Sequence, residues 1–216
     1  MENNFNKTLF GYKDLFKEFV DIYNSNSLPN KILLSGKKGI GKCTFANHFI
    51  NYIFSKKEDY KYDLNNLSIH SQNKSNILLN NKTHPNIFYI SKKAEKKFIE
   101  ISQIREMIQF QNRSSFNNQN RIILINDVEY LNSSSANALL KSVEEPNNNL
   151  FYILIYNSEK RIPHTLKSRC IEFKIILLSE HLSNIVNNYF DKNVYQKIPI
   201  DFLNIYSSPS FLISLI

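Results

Sequence analysis

Glycine is scarce in this chain, at 4 of 216 residues, and cysteine is scarcer, at 2. Cys43 and Cys170 are too few for a disulfide framework or a four-cysteine zinc site. No apolar run reaches the roughly 18 residues that a membrane-spanning helix needs. The first residues, Met1 to Lys7, are polar and lack the apolar stretch of a secretory signal. These absences exclude a disulfide scaffold and a helical membrane protein, and they predict a soluble, cytoplasmic chain. Asn, Lys, Ile, Tyr and Phe are plentiful, the set that an AT-rich genome favours. Hydrophobic residues at 42% and charged residues at 21% are ordinary globular values, enough for one α/β domain and a small appendage. The excess of 27 basic over 19 acidic residues permits a polyanionic partner without requiring one.

Short apolar runs alternate with helical patterns, which predicts α/β units around a parallel sheet. The runs are Lys31 to Ser35, Asn86 to Ile90, Arg121 to Asn126, Phe151 to Tyr156 and Cys170 to Lys174. Nearly unbroken apolar strands of this kind are covered on both faces by helices. Leu15, Phe16, Phe19, Val20 and Tyr23 form a helical stripe before the first strand. Phe45 to Phe54 carries a second stripe, and Ile101, Ile104, Met107 and Ile108 a third. After the third strand, Ser133 to Ser135 offer capping hydroxyls, Ala136, Leu139, Leu140 and Val143 mark one face, and Pro146 ends the helix. Residues 55–83 are rich in Lys, Asn and Ser with little period, and predict a long surface insertion with room for one short helix. Beyond Leu177, the stripe Leu182, Ile185, Val186 and Tyr189 predicts a small helical subdomain. The expected division is a core over 1–174 and a lid over 175–216.

Gly36-Lys37-Lys38-Gly39-Ile40-Gly41-Lys42-Cys43-Thr44 leaves the first strand and opens a helix. A glycine, four residues and then Gly-Lys, in strand–loop–helix context, is the phosphate-loop pattern. Gly36, Gly39 and Gly41 allow the tight turn that points backbone N–H groups at phosphate oxygens, and Lys42 bridges the terminal phosphates. The next position ordinarily carries a hydroxyl for Mg²⁺; here it is Cys43, a poor ligand for a hard cation. Thr44 can still touch a phosphate. The third strand shows the same damage. Its end reads Ile125-Asn126-Asp127, with a neutral amide where an active ATPase holds its metal-side carboxylate and a shortened acid where the base belongs. Metal and base are both weakened, so the loop is expected to serve architecture more than hydrolysis.

Taken together, these residues resemble the clamp-loader branch of the AAA+ superfamily, and within it most closely the delta-prime family of bacterial clamp loaders. The resemblance is carried in order by Leu9-Phe10-Gly11, the loop from Gly36 to Thr44, and His84-Pro85-Asn86. It continues through Ala136-Asn137-Ala138-Leu139-Leu140-Lys141-Ser142-Val143-Glu144-Glu145-Pro146, then Ile162-Pro163, Thr165 and Ser168-Arg169-Cys170. It implies an AAA+ core with a parallel five-stranded sheet flanked by helices, followed by a short helical lid. It implies a subunit that helps load the replicative sliding clamp onto primed DNA, within a DNA polymerase III holoenzyme. Other clamp-loader subunits (gamma/tau and delta) are the implied partners, with the clamp and primer-template DNA reached through the complex. Arg169 becomes a finger offered to ATP held by a neighbouring subunit; a helix cap or an ion-pair partner are the other roles open to such an arginine. Asn157 lies at the position of a polar γ-phosphate sensor, where a turn asparagine is equally in keeping. Phe211, in Ser208-Pro209-Ser210-Phe211, stands where relatives carry a second, arginine sensor.

The implied ligand is ATP, bound weakly or vestigially and not turned over, with no zinc and no metal site. Relatives insert a four-cysteine zinc module, whereas residues 55–83 hold no cysteine. The family continues into a helical collar domain; this chain ends at Ile216, about where the lid ends, so the collar is expected to be absent. Lys92, Lys93, Lys96 and Lys97 form a basic cluster, read either as a duplex-tracking patch or as a solvated surface hairpin. His48, His70, His84, His164 and His181 show no metal spacing and are assigned no chemistry. Two other functions fit the fold: an active gamma/tau-type clamp-loader ATPase, and a free-standing DNA-binding module.

Overall fold

The computed structural model describes residues 7–144, 149–190, 193–199, 201, 203 and 208–215. The chain forms two compact units, one of residues 28–36 and 81–174, the other of residues 1–27, 37–80 and 175–216.

The first unit holds the sheet. Its strands are β1 (Lys31–Gly36), β2 (Ile87–Ile90), β3 (Arg121–Ile125), β4 (Leu150–Asn157) and β5 (Ile171–Lys174). They run in the order β2-β3-β4-β1-β5, and every pairing is parallel. The five apolar runs therefore fall where the sequence predicts them, to within two residues at each end. All five residues of β3 are buried, so both of its faces are covered. One face packs Leu33, Ile123, Ile125, Tyr152 and Leu154 against helices α4 (Ile101–Gln111) and α5 (Ser133–Glu144) through Ile104, Met107, Leu139 and Val143. A short helix, α6 (His164–Lys167), adds Leu166 to the same core.

Three polar devices tie this unit together. Arg121 opens β3 with a buried guanidinium whose Nη1 donates to the carbonyls of Phe110 at 3.1 Å and Gln111 at 3.0 Å, and to Arg113. Those carbonyls lie at the end of α4 and just beyond it, so one side chain closes the helix and joins it to the sheet. Tyr152 on β4 donates to Gln111 Oε1 at 2.9 Å, and the Ser142 hydroxyl of α5 donates to the same oxygen. The third device starts α5: Asn132, rather than a hydroxyl of Ser133 to Ser135, accepts the Ser135 N–H at 2.8 Å. The Ser135 hydroxyl instead donates to the Ile99 carbonyl at 3.0 Å, because burial gives it a partner across the core. The expected stop at Pro146 lies outside the described residues.

The second unit contains α1 (Lys13–Asn24), α2 (Lys42–Ser55), α3 (Lys74–Asn80), α7 (Leu182–Phe190) and α8 (Pro209–Leu215). Its core is aromatic. Phe16 and Phe19 of α1 meet Phe45 and Phe49 of α2 edge-to-face, with centroids 5.1–6.3 Å apart. Residues 55–83 are more tightly built than their composition predicts. Tyr62, Leu67 and Ile69 are buried, and Glu58 caps α3 by accepting the N–H groups of Lys74 at 3.0 Å and Ser75 at 3.1 Å. The distance in sequence between Glu58 and the helix that it caps hides this from any local pattern.

Replacing Arg121 with Leu takes the guanidinium donor from the Phe110, Gln111 and Arg113 carbonyls while keeping apolar bulk. The expected loss is about 3 kcal/mol, read as a lower urea midpoint with an unchanged m-value.

Candidate functional site

The loop from Gly36 to Thr44 begins with the sheet and continues in the helical unit. Gly36, the last residue of β1, pairs in register with Asn157, the last residue of β4. From Lys37 onward the loop closes on itself. Lys42, 6% exposed, donates from Nζ to the Lys37 carbonyl at 2.5 Å. The Tyr12 hydroxyl donates to the Ile40 carbonyl. Gly41 caps α2 at φ +96°, a conformation that side chains rarely adopt. Gly39, at φ +80°, has Ser208 and Ser210 against it. A Cβ there would collide with the Ser210 hydroxyl and approach that of Ser208 to 2.9 Å, and the Ser210 N–H donates to the Gly39 carbonyl at 3.2 Å. Cys43 and Thr44 are half-buried on the first turn of α2, and Asn47 Nδ2 lies 3.6 Å from the Cys43 sulfur.

At the carboxyl edge of the sheet, β3 ends beside β4. Asn126 donates from Nδ2 to Asp127 Oδ2 at 3.1 Å, so the amide at the position expected for the metal-side acid binds the neighbouring carboxylate. Asp127 adopts φ +59°, which Asp tolerates better than most residues. Asn157 is buried, and its Oδ1 accepts the Glu159 N–H at 3.1 Å. Its own backbone N–H donates to Glu129 Oε2 at 3.2 Å. Glu129 thus reaches the end of β4, a placement that the sequence did not disclose. Among the described residues, no group of three or more His, Cys, Asp or Glu side chains is arranged to hold a metal ion.

Arg169 lies at the other end of the sheet. Ile171, two residues on, opens β5 and pairs with Ile32 near the start of β1, whereas the loop leaves β1 at Gly36. Four strand residues separate those levels, about 13 Å at about 3.3 Å per residue. Arg169 Nε donates to Glu144 Oε1 at 2.6 Å, Nη2 is ion-paired to the same oxygen, and Nη1 donates to the Thr165 carbonyl at 2.9 Å. It therefore both caps α6 and pairs with an acid, while 37% of the side chain stays exposed. Cys170 beside it belongs to the core, and burial pushes its thiol up to about 11.

The basic cluster and three of the histidines make contacts within the chain. The basic cluster sits on a turn after β2, not a hairpin, and Lys93 and Lys96 both pair with Glu100, at 3.0 and 3.1 Å. His48 meets the Tyr62 hydroxyl at 2.9 Å, and His70 stacks on Tyr60. In His84-Pro85-Asn86, the Asn86 amide takes both backbone groups of Phe116, accepting its N–H at 2.7 Å and donating to its carbonyl at 2.9 Å. The Asn86 N–H in turn donates to His84 Nδ1 at 3.3 Å. Burial pushes the His84 imidazole down to about 4.

A family model described as "DNA polymerase III, delta subunit" matches residues 11–179. The DNA polymerase III subunit delta' of Pseudomonas aeruginosa is 30% identical over 140 residues, 65% of this chain and 41% of that protein. The DNA polymerase III subunit gamma of Buchnera aphidicola subsp. Schizaphis graminum is 28% identical over 207 residues, 92% of this chain and 54% of that protein. The chain thus spans about half the length of these curated relatives. Among solved structures, the Thermotoga maritima RuvB Holliday junction branch migration motor superimposes with a TM-score of 0.56 at 14% identity, over 97% of this chain and 62% of that one. The likeness at that identity is one of fold, and the fold is AAA+.

The His84 environment predicts an acid-side loss of stability. The unfolded chain takes up a proton near pH 6.5, whereas the folded one does so only near pH 4. Stability is therefore fully present above about 6.5 and falls as the pH drops from there towards 4. A His84→Asn variant is expected to show a shallower decline of Tm across that window than the parent chain.

Proposed function

Because the chain belongs to the family described as DNA polymerase III, delta subunit, we propose that it is a delta-prime-like clamp-loader subunit. It joins other clamp-loader subunits of the gamma/tau and delta kinds in the cytoplasm, and helps load the sliding clamp onto primed DNA. In that assembly it is a stator: a core over 1–174 with a lid over 175–216, whose own loop holds ATP weakly or not at all.

The observation that carries this reading is the position of Arg169 at the opposite edge of the sheet from Gly36 and Asn157. A guanidinium there cannot serve a nucleotide at the carboxyl edge of its own sheet, but it can serve one held by an adjoining subunit. In the neighbour, water bonds to the γ-phosphorus as the bond to the bridging oxygen breaks, giving ADP and phosphate. Charge gathers on the equatorial oxygens, and Arg169 would meet it with planar N–H donors. Four features support an inert home site. Cys43 replaces the Mg²⁺ hydroxyl, and the Asn126 amide binds Asp127. Asn157 turns its side-chain oxygen to Glu159, and Phe211 replaces an arginine.

The gamma-type ATPase remains the second reading, favoured by the length over which the Buchnera gamma subunit matches. It requires Asp127 to act as base with another group in place of Asn126.

ATP turnover by the reconstituted clamp loader separates the two. The isolated chain is expected to show none, and Lys42→Ala to change little. Arg169→Ala is expected to slow the site that it serves by about 10³-fold or more, diluted in the whole complex by the other sites. Hydrolysis by the isolated chain, abolished by Lys42→Ala, would establish the gamma-type reading instead.

A further inference from the structure

We propose that Glu144 is a positioning residue for Arg169, holding the guanidinium so that its outer edge faces an incoming γ-phosphate. The inference rests on the finger role proposed above and adds the residue that aims it.

Glu144 is the last described residue of α5, where a carboxylate faces the negative end of the helix and is locally unfavourable. Its placement needs a compensating cation, and Arg169 supplies one. The guanidinium lies between the carbonyl ends of α5 and α6, with Nε and Nη2 on Glu144 Oε1 and Nη1 on the Thr165 carbonyl. A guanidinium carries five N–H donors in a rigid fork. Anchoring its inner side in this way leaves an N–H on each terminal nitrogen pointing away from the anchors, the edge that pairs with two phosphate oxygens.

Stability does not explain the pair. Its side chains are 37% and 51% exposed, and ion pairs in such settings contribute little to folding. Orientation does explain it, because an unrestrained arginine samples many rotamers and only a few aim the fork outward. Misplacement by about 1 Å is enough to cost a catalytic group about 10²-fold.

The test uses the complex reconstituted with its ATPase subunits, with ATP as substrate. Glu144→Ala is expected to lower kcat of the site served by Arg169 by about tenfold with KM for ATP unchanged, within the range that misplacement produces. Glu144→Gln keeps the oxygen acceptor and is expected to recover much of that loss. In an Arg169→Ala background, Glu144→Ala should change nothing further, because it acts only through the arginine. Assembly, checked by size-exclusion chromatography, should be the same for all variants. If Arg169→Ala slows turnover but Glu144→Ala leaves it unchanged, the positioning role is wrong and the finger stands. If Glu144→Ala raises turnover, the acid is a restraint and the proposal is overturned. If Arg169→Ala has no effect, the finger falls and the role of Glu144 falls with it.

Discussion

The pairing of β1 with β4 is the constraint on which everything else depends. These two strands lie side by side at the centre of the sheet, six register pairs long, from Lys31 with Tyr152 to Gly36 with Asn157. Strand β3 adds to one side through β4, and β5 adds to the other through β1. Because all pairings are parallel, the carboxyl ends of β1, β3 and β4 share one edge, where open α/β sheets bind ligands. The amino end of β5 falls at the opposite edge. A one-residue slip would turn every buried side chain to the wrong face, so apolar burial holds the register firmly.

Polar side chains then connect loops to that frame. Arg121 closes α4 from the first position of β3, and Asn86 takes both backbone groups of Phe116 from the start of β2. Tyr152, Ser142 and Gln111 bind β4, α5 and α4 through one shared amide oxygen. Each buried polar group is costly alone and specifying when paired, because the low dielectric that penalises an orphan also strengthens a satisfied bond. The histidine of the His-Pro-Asn run belongs to this class. Its value is to accept a backbone N–H while uncharged.

The two edges of the sheet have different fates. At the carboxyl edge, two amides are engaged by groups close to them in sequence: Asn126 with Asp127 and Asn157 with Glu159. At the amino edge, Arg169 keeps an exposed face while its other face is anchored. The apolar core beneath both edges is the same, since packing is indifferent to what the loops above it do.

Much of this was legible in the chain itself. Five apolar runs separated by 3.6-residue stripes can only bury both faces as a helix-covered parallel sheet, and Gly-rich spacing before Lys42 marks a loop that must turn tightly. Those signals are local, so the sequence by itself determined the five strands, their order in the chain, the main helices between them and the tight turns of the glycine loop. It misplaced the cap of α5, because Asn132 and three serines are equivalent until burial draws the Ser135 hydroxyl to Ile99. It was silent on Glu58 at α3, Glu129 at the end of β4 and Glu144 on Arg169, whose partners lie 16, 28 and 25 residues away. Which carboxylate meets which donor is settled only when non-local pairing of the strands brings distant loops to one edge. Tertiary structure alone decided that Arg169 stands anchored at the edge of the sheet opposite Gly36 and Asn157, since no residue spacing encodes the side of a sheet on which a chain returns.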